Sequence, residues 1–173
     1  VTDISFNLTI YLKSTGEIKY GTYHACEAIH KDVIIANTLA SFGSDYGVLD
    51  VASDPQIHYV SIQDGIPQIQ ERPPVPYKID RSTVAANGVD FVTISGLHDP
   101  CTIVIDDPDP LVETVTETVT GGGFEFSADT IGVYTIQISK FPFLPLTFQI
   151  TAISPVGAAN SDFSTDFSYE FGH

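Results

Sequence analysis

ADTIGVYTIQIS, residues Ala128 to Ser139, and VDFVTISGL, Val89 to Leu97, are the two stretches whose reading decides the fold. In the second, Val89, Phe91 and Thr93 are expected to point one way, flanked by Val92 and Ile94, before Gly96 turns the chain. VYTIQIS (Val133 to Ser139) repeats the same period of two, as do TIVID (Thr102 to Asp106), ETVTETVT (Glu113 to Thr120) and FEFS (Phe124 to Ser127). β-branched and aromatic residues dominate these runs, with Gly, Pro, Asn and Asp between them. Asn87-Gly88 marks a tight turn because both residues tolerate positive φ, and Gly121 to Gly123 mark another reversal. Short strands separated by such turns predict an antiparallel β-sandwich of immunoglobulin type rather than an α/β sheet. Asp129, Gly132 and Tyr134 add a candidate structural corner. A Tyr near the start of a late sandwich strand can bond its hydroxyl back across the preceding corner. The plainer alternative is an ordinary half-buried strand tyrosine.

The rest of the chain is read outward from that sandwich, placed at residues 77–152. Upstream, ISFNLTIYL alternates with Ile4, Phe6, Leu8, Ile10 and Leu12 on one face. Ser14-Thr15-Gly16 turns the chain, and EIKYGTY (Glu17 to Tyr23) returns as a hairpin partner. From Ala25 to about Ala40 the apolar spacing turns helical, through Ala28, Ile29, Val33, Ala36 and Leu39, although Val33-Ile34-Ile35 also suits a strand. HYVSI (His58 to Ile62), Asp64-Gly65 and IPQIQ (Ile66 to Gln70) predict a second hairpin. Residues 1–70 therefore read as a small α+β docking module. ERPPVP, residues 71–76, reads as a proline-rich, semi-rigid spacer holding the two modules apart. Residues 153–173 form a tail in which Phe163, Phe167, Tyr169 and Phe171 share one parity, a strand pattern with an aromatic face. Such a surface is expected to pack on its own chain or to add a strand to a neighbour, which makes these four the candidate partner interface. The predicted class is mainly β: a small α+β N-terminal module, an immunoglobulin-like antiparallel β-sandwich and a strand-like C-terminal tail.

The formal net charge is −15 over 173 residues, which argues against nucleic acid or an anionic membrane as partner. No Lys or Arg lies between Arg81 and Lys140, so the sandwich carries most of this field. The field reads either as a solvated surface or as a patch matched to a basic partner. Cys26 and Cys101 fall in different modules and form neither a disulfide framework nor a zinc motif. No signal-peptide pattern or membrane-length apolar run is present, so the expected place of synthesis is the cytoplasm. Val1 and the absence of Met suit a trimmed start or a GTG start codon. Asp106-Asp107-Pro108-Asp109 clusters carboxylates that could hold calcium, but without the ligand spacing and glycine of an EF-hand loop. His24, His30, His58, His98 and His173 are scattered, and the sequence holds no HExxH, GxSxG, P-loop or GxGxxG motif. No catalytic, metal or cofactor site is assigned, and the expectation is a non-enzymatic protein.

RPPVPYKIDRSTVAANGVDFVTISGLHDPCTIVID (Arg72 to Asp106) and GGGFEFSADTIGVYTIQISKFPFLP (Gly121 to Pro145) resemble a module of small tailed-bacteriophage virion proteins. The pattern is a proline-rich lead, the strand of Asn87 to Leu97, a short Pro100-Cys101 to Asp106 strand, and a Gly132-Val133-Tyr134 to Phe141-Pro142 ending. The first module is similar too, in its Thr15-Gly16-Glu17-Ile18 hairpin and in HYVSIQDGI (His58 to Ile66), where Gln63-Asp64 before the glycine departs from the pattern. The resemblance covers most of residues 4–152. It implies a structural protein of the virion, assembled in the host bacterial cytoplasm and docked at the tail tip, a fibre or the baseplate. Its partners would be other virion proteins, with the chain homo-oligomeric or multicopy in the particle. A capsid decoration (cement) protein is the close alternative. A carbohydrate-binding module is the second; it would want exposed aromatic platforms, whereas this chain lacks Trp and sets most Tyr and Phe at core parity.

Overall fold

A computed structural model describes residues 2–155. At the centre of the first module, β1 (Asp3–Leu12) pairs antiparallel with β2 (Ile18–Glu27) on one side and β3 (Tyr46–Leu49) on the other. The turn into β2 requires Gly16, at φ +81°, where a Cβ would lie 1.8 Å from the carbonyl oxygen of Val60. Phe6, Leu8 and Ile10 face helix α1 (Lys31–Phe42), which covers them with Ile34, Ile35, Leu39 and Phe42. The helix starts later than the sequence spacing predicts. Ala25 to Glu27 stay paired with β1, and Ala28–His30 form a single 3-10 turn before it. Its inward face is also rotated from the predicted one, leaving Ile29 and Val33 exposed.

Burial of β1 on both faces corrects the one-faced alternation expected of it. On the face away from the helix, Tyr11 packs with Ile18 and Val60 under the hairpin of β4 (His58–Gln63) and β5 (Ile66–Glu71). The Tyr11 ring lies over Gly47, where any Cβ would come within 2.3 Å of it. Beside it the fully buried Thr9 hydroxyl donates to the carbonyl of Val51 at 2.6 Å, satisfying a polar group that burial would otherwise destabilise.

The second module has eight strands: β6 (Lys78–Ile79), β7 (Thr83–Ala85), β8 (Val92–Ser95), β9 (Cys101–Asp106), β10 (Val115–Val119), β11 (Gly123–Phe126), β12 (Gly132–Ser139) and β13 (Leu146–Ile153). They form a five-stranded sheet, β10-β9-β12-β13-β7, packed on a three-stranded sheet, β11-β8-β6. The entering chain is split between the layers. β6 pairs with β8, whereas β7 crosses over to lie parallel to β13. With all other pairings antiparallel, this is an immunoglobulin-like sandwich. Ile136, Ile138 and Ile150 from the larger sheet meet Val92 and Ile94 from the smaller, all without solvent contact. Each such side chain stabilises the fold by about 1.5–3 kcal/mol through burial.

Two expectations within this region need correction. Val89 to Phe91 lie before β8, not in it, so the inward parity is Val92 and Ile94, while Val89 is 79 % and Phe91 43 % exposed. Asp90 holds the loop: its carboxylate accepts from the Ala85 N–H at 2.8 Å and from Arg81 at 2.5 Å. Gly88, at φ +68°, makes the turn, and Asn87 Oδ1 accepts from the N–H groups of Val89 and Asp90. The proline-rich stretch at 71–76, expected as a semi-rigid spacer holding the modules apart, packs on the sandwich instead. Glu71 ends β5, Pro74 bridges in parallel to Leu144, and Val75 is buried in the sandwich core. Phe163, Phe167, Tyr169 and Phe171 lie outside the described residues.

Candidate interaction surfaces

Arg72 fixes how the modules meet. Its Nε donates to the carbonyl of Pro142 at 2.9 Å and its Nη2 to that of Phe143 at 2.6 Å, while Nη1 reaches Gln56 O at 3.3 Å. The guanidinium also lies 5.7 Å from the centroid of the Phe141 ring, which Tyr59 meets edge-on. A planar fork with several donors suits two adjacent carbonyls on the sandwich and a third on the first module. The junction therefore gathers the 141–143 turn of the sandwich and the root of the β4–β5 hairpin.

From that root the hairpin runs six residue pairs to its tip, where Asp64 and Gly65 both take positive φ in a two-residue turn. Ile62 pairs with Pro67 and Ile66 with Gln63, so the two isoleucines leave opposite faces of the ribbon. Both are more than half exposed. Tyr23, Ile29 and Val33 on β2, the 3-10 turn and α1 are exposed as well. Isolated exposed apolar residues are ordinary, but two at the tip of a projecting ribbon offer a contact point.

At the end of the sandwich away from the junction, three loops converge. Gly88 N–H donates to Ala128 O at 2.9 Å, tying the 87–91 loop to the 128–131 corner. A Cβ at Gly132 would come within 2.5 Å of the Pro108 ring, so the 107–114 loop also lies close against this corner. The Tyr134 hydroxyl donates to Thr130 O at 3.1 Å, four residues upstream, and its ring packs edge-on against Phe126. Asp129 sits at the outer side of that corner, where it accepts from the Thr130 hydroxyl at 3.3 Å. Tyr134 thus bonds back to Thr130, Asp129 among the described residues reaches only its neighbour Thr130, and Gly132 lies against Pro108. Burial, and after it the negative charge of Asp107, pushes the Tyr134 phenol above its ordinary range, so it stays a neutral donor.

Between these loops opens a cleft of about 430 Å³. Its floor is apolar, from Ile105, Val112, Val115 and Phe126, and its rim carries Asp107, Glu113, Glu125 and Asp129. Among the described residues, no salt bridge engages any of those four carboxylates. Leu111 beside the cleft is 90 % exposed. Sequence reading located the corner but not the cleft, because the cleft joins residues from β10 and β11, the edges of two different sheets. A usable signal was the absence of Lys and Arg across this whole region.

The acidic run Asp106 to Asp109 is used locally. Asp107 and Asp109 accept backbone N–H groups two residues on, and Asp106 accepts the Thr114 hydroxyl at 2.8 Å. Such turns need no cation to hold them. Among the described residues, no group of three or more His, Cys, Asp or Glu is arranged to hold a metal, and no helix is long and apolar enough to cross a membrane. Cys101 is buried in the sandwich core, where burial, and then the charge of Asp99, raises its thiol pKa; Cys26 lies against the first module's core, and both are free.

No protein-family model matches the sequence, and no curated protein matches it. Among solved structures, the chain is similar to two glycosyl hydrolase family 2 members from Bacteroides cellulosilyticus, each at 14 % identity, the second from strain DSM 14838. The first comparison covers 88 % of this chain and 23 % of that one, with a TM-score of 0.33. The second covers 86 % and 24 %, with a TM-score of 0.32. The chain thus spans about a quarter of the length of these structures. A likeness of this degree carries no inference about activity.

Proposed function

We propose that the chain is a non-enzymatic structural protein of a tailed-bacteriophage virion. It docks through its N-terminal module at the tail tip, a fibre or the baseplate, and displays an acidic immunoglobulin-like domain. The sequence resemblance suggests this reading, and one structural observation supports it: the two modules are fixed end to end at Arg72. Ile62 and Ile66 stand at the tip of a ribbon rooted at that junction, and the acid-rimmed cleft lies at the far end of the sandwich. A contact end and a display end on one stiff unit suit a multicopy particle component, where weak contacts gain strength by repetition. The acidic surface keeps the displayed domain off nucleic acid and anionic membranes.

Immunogold electron microscopy of particles from the source culture, with antibody raised against residues 77–152, tests this. Gold confined to the tail end is the expected result. Gold spread over the head would replace the reading with capsid decoration. Particles free of gold, with the epitope accessible on the isolated protein, would overturn the virion reading altogether and direct attention to glycan binding.

A further inference from the structure

The sandwich is open along one side. β10 is the edge of the larger sheet and β11 the edge of the smaller, and the cleft lies between them. Among the described residues, β10 is paired only with β9, in continuous register from Val115 to Val119, and four of its five residues are exposed. An unpaired strand edge presents backbone donors and acceptors that another extended chain can complete. Here the start of that edge, Val115, lines the cleft with its apolar floor and its rim of four carboxylates. Val115 and Glu117 share the parity of Ile105 and Ile103, so every second side chain of an incoming strand meets that face beside the carboxylate rim, and the others meet Thr116 and Thr118. We propose that this edge takes an extended segment of a partner protein in which lysine or arginine alternates with apolar residues, added to the five-stranded sheet as a sixth strand. Alternation follows from the pleat: the face of the added strand that carries the cations meets Glu117 and the carboxylate rim, and the other face lies along Thr116 and Thr118.

Charge selects this occupant over two others. The segment beyond residue 155 carries Asp162, Asp166 and Glu170 and no Lys or Arg, so it does not complement the rim. A second copy brings the same −15 and the same acidic edge. The inference goes beyond the virion reading and stands independently of where the protein is located.

The test uses the full chain and a labelled nine-residue peptide alternating Lys and Val, with a block peptide of the same composition as control. Fluorescence anisotropy gives affinity, and amide hydrogen exchange locates the contact. The alternating peptide is expected to bind, to slow exchange at residues 115–119, and to bind about tenfold more weakly to a Glu113→Lys, Glu125→Lys variant, since partly exposed charge pairs contribute modestly each. Both glutamates are exposed, so the variant should fold; its far-UV spectrum and melting temperature check this. Equal binding of the block peptide would overturn the proposal, because attraction would then need no strand. Protection outside β10, or no binding at low salt, would overturn it too. So would protection, in the free protein, of the amides of residues 115–119 that do not bond to β9, which would mean the edge is already occupied by its own chain or a second copy.

Discussion

Replacing Arg72 with alanine should uncouple the two modules. Two part-buried, charge-assisted hydrogen bonds are lost, at 2.9 Å to Pro142 O and 2.6 Å to Phe143 O. Bonds to charged groups contribute about 1.5–3 kcal/mol each. Because both are only partly buried, the lower figure applies, giving about 3 kcal/mol together. The exposed contact to Gln56 O at 3.3 Å adds little, and the Phe141 ring contact adds about 0.5–1 kcal/mol. Measured against the ~5–15 kcal/mol that holds a typical protein folded, this is enough to change how unfolding proceeds. Urea denaturation followed by tyrosine fluorescence and far-UV circular dichroism should show one transition for the wild type. Arg72→Ala should show two, or one with a clearly lower m-value. Arg72→Lys keeps the charge but not the fork, and should recover less than half of the loss. A variant within ~0.5 kcal/mol of wild type and with an unchanged m-value would refute the reasoning, since surface changes alone give shifts of that size.

Other perturbations bear on the corner, the first turn and the 81–90 loop. Tyr134→Phe removes one partly buried hydrogen bond at the corner and should cost about 1 kcal/mol in urea midpoint analysis; no loss would leave the ring, not the hydroxyl, as what holds the corner. Gly16→Ala forces a Cβ against Val60 O at φ +81° and should cost at least ~2 kcal/mol. Gly43→Ala, at φ +104° with open space around it, should cost only ~1 kcal/mol of backbone strain, and equal losses would contradict the clash. Asp90 is held below its ordinary pKa of 3.8, first by the Ala85 N–H and then by Arg81. A depressed carboxyl contributes stability that is complete above its unfolded pKa and lost as pH falls through the folded one. Asp90→Asn should therefore be less stable than wild type at neutral pH, with the gap closing below about pH 4. A gap that persists undiminished at low pH would rule out the carboxylate as its source.

Periodicity made the late strands of the sandwich legible, and it did so because each has one face in a core. Val133 to Ser139 alternates since Tyr134, Ile136 and Ile138 point inward and Val133 and Gln137 do not. The same logic misplaced β8. Val89 and Phe91 extend the alternation backward, but the Asp90 carboxylate binds Arg81 and the Ala85 N–H more favourably than a ladder position would allow. β3 left no pattern to read: four residues, YGVL, with a glycine whose role is to admit the Tyr11 ring. For β1 the alternation told half the story, because the second face is covered by a hairpin some fifty residues away in the chain. The candidate surfaces follow the same division. The Tyr134 corner is local and spans five residues, so its motif sits in one stretch. The Arg72 junction joins residues about seventy apart, and the cleft joins two sheet edges across a glycine turn; neither leaves a spacing in the sequence.

The unpaired β10 edge also raises the question of what keeps two copies from joining there. Natural edges are guarded by lysines, prolines or bulges, and β10 has none of these in its unbroken register with β9. Its one charged residue is Glu117, at the middle of the strand. Antiparallel pairing of two β10 edges about their centre would set Glu117 against Glu117, with the rim carboxylates of both copies alongside. Like charges directly opposite destabilise a strand pair. The field that would attract a basic strand therefore also repels a second acidic one, so one feature sets both what the edge accepts and what it refuses. Both effects must weaken together as salt shortens the screening length from about 8 Å at physiological strength to about 3 Å at 1 M. Whatever contacts the first module makes, those amides of residues 115–119 that are not bonded to β9 should exchange freely in the wild type at low salt and gain protection, with a rise in mass by light scattering, near 1 M. Glu117→Thr should reach that state at lower salt. If it stays as unprotected at 1 M as the wild type at low salt, charge is not what keeps this edge open, and the electrostatic basis for its choice of partner fails with it.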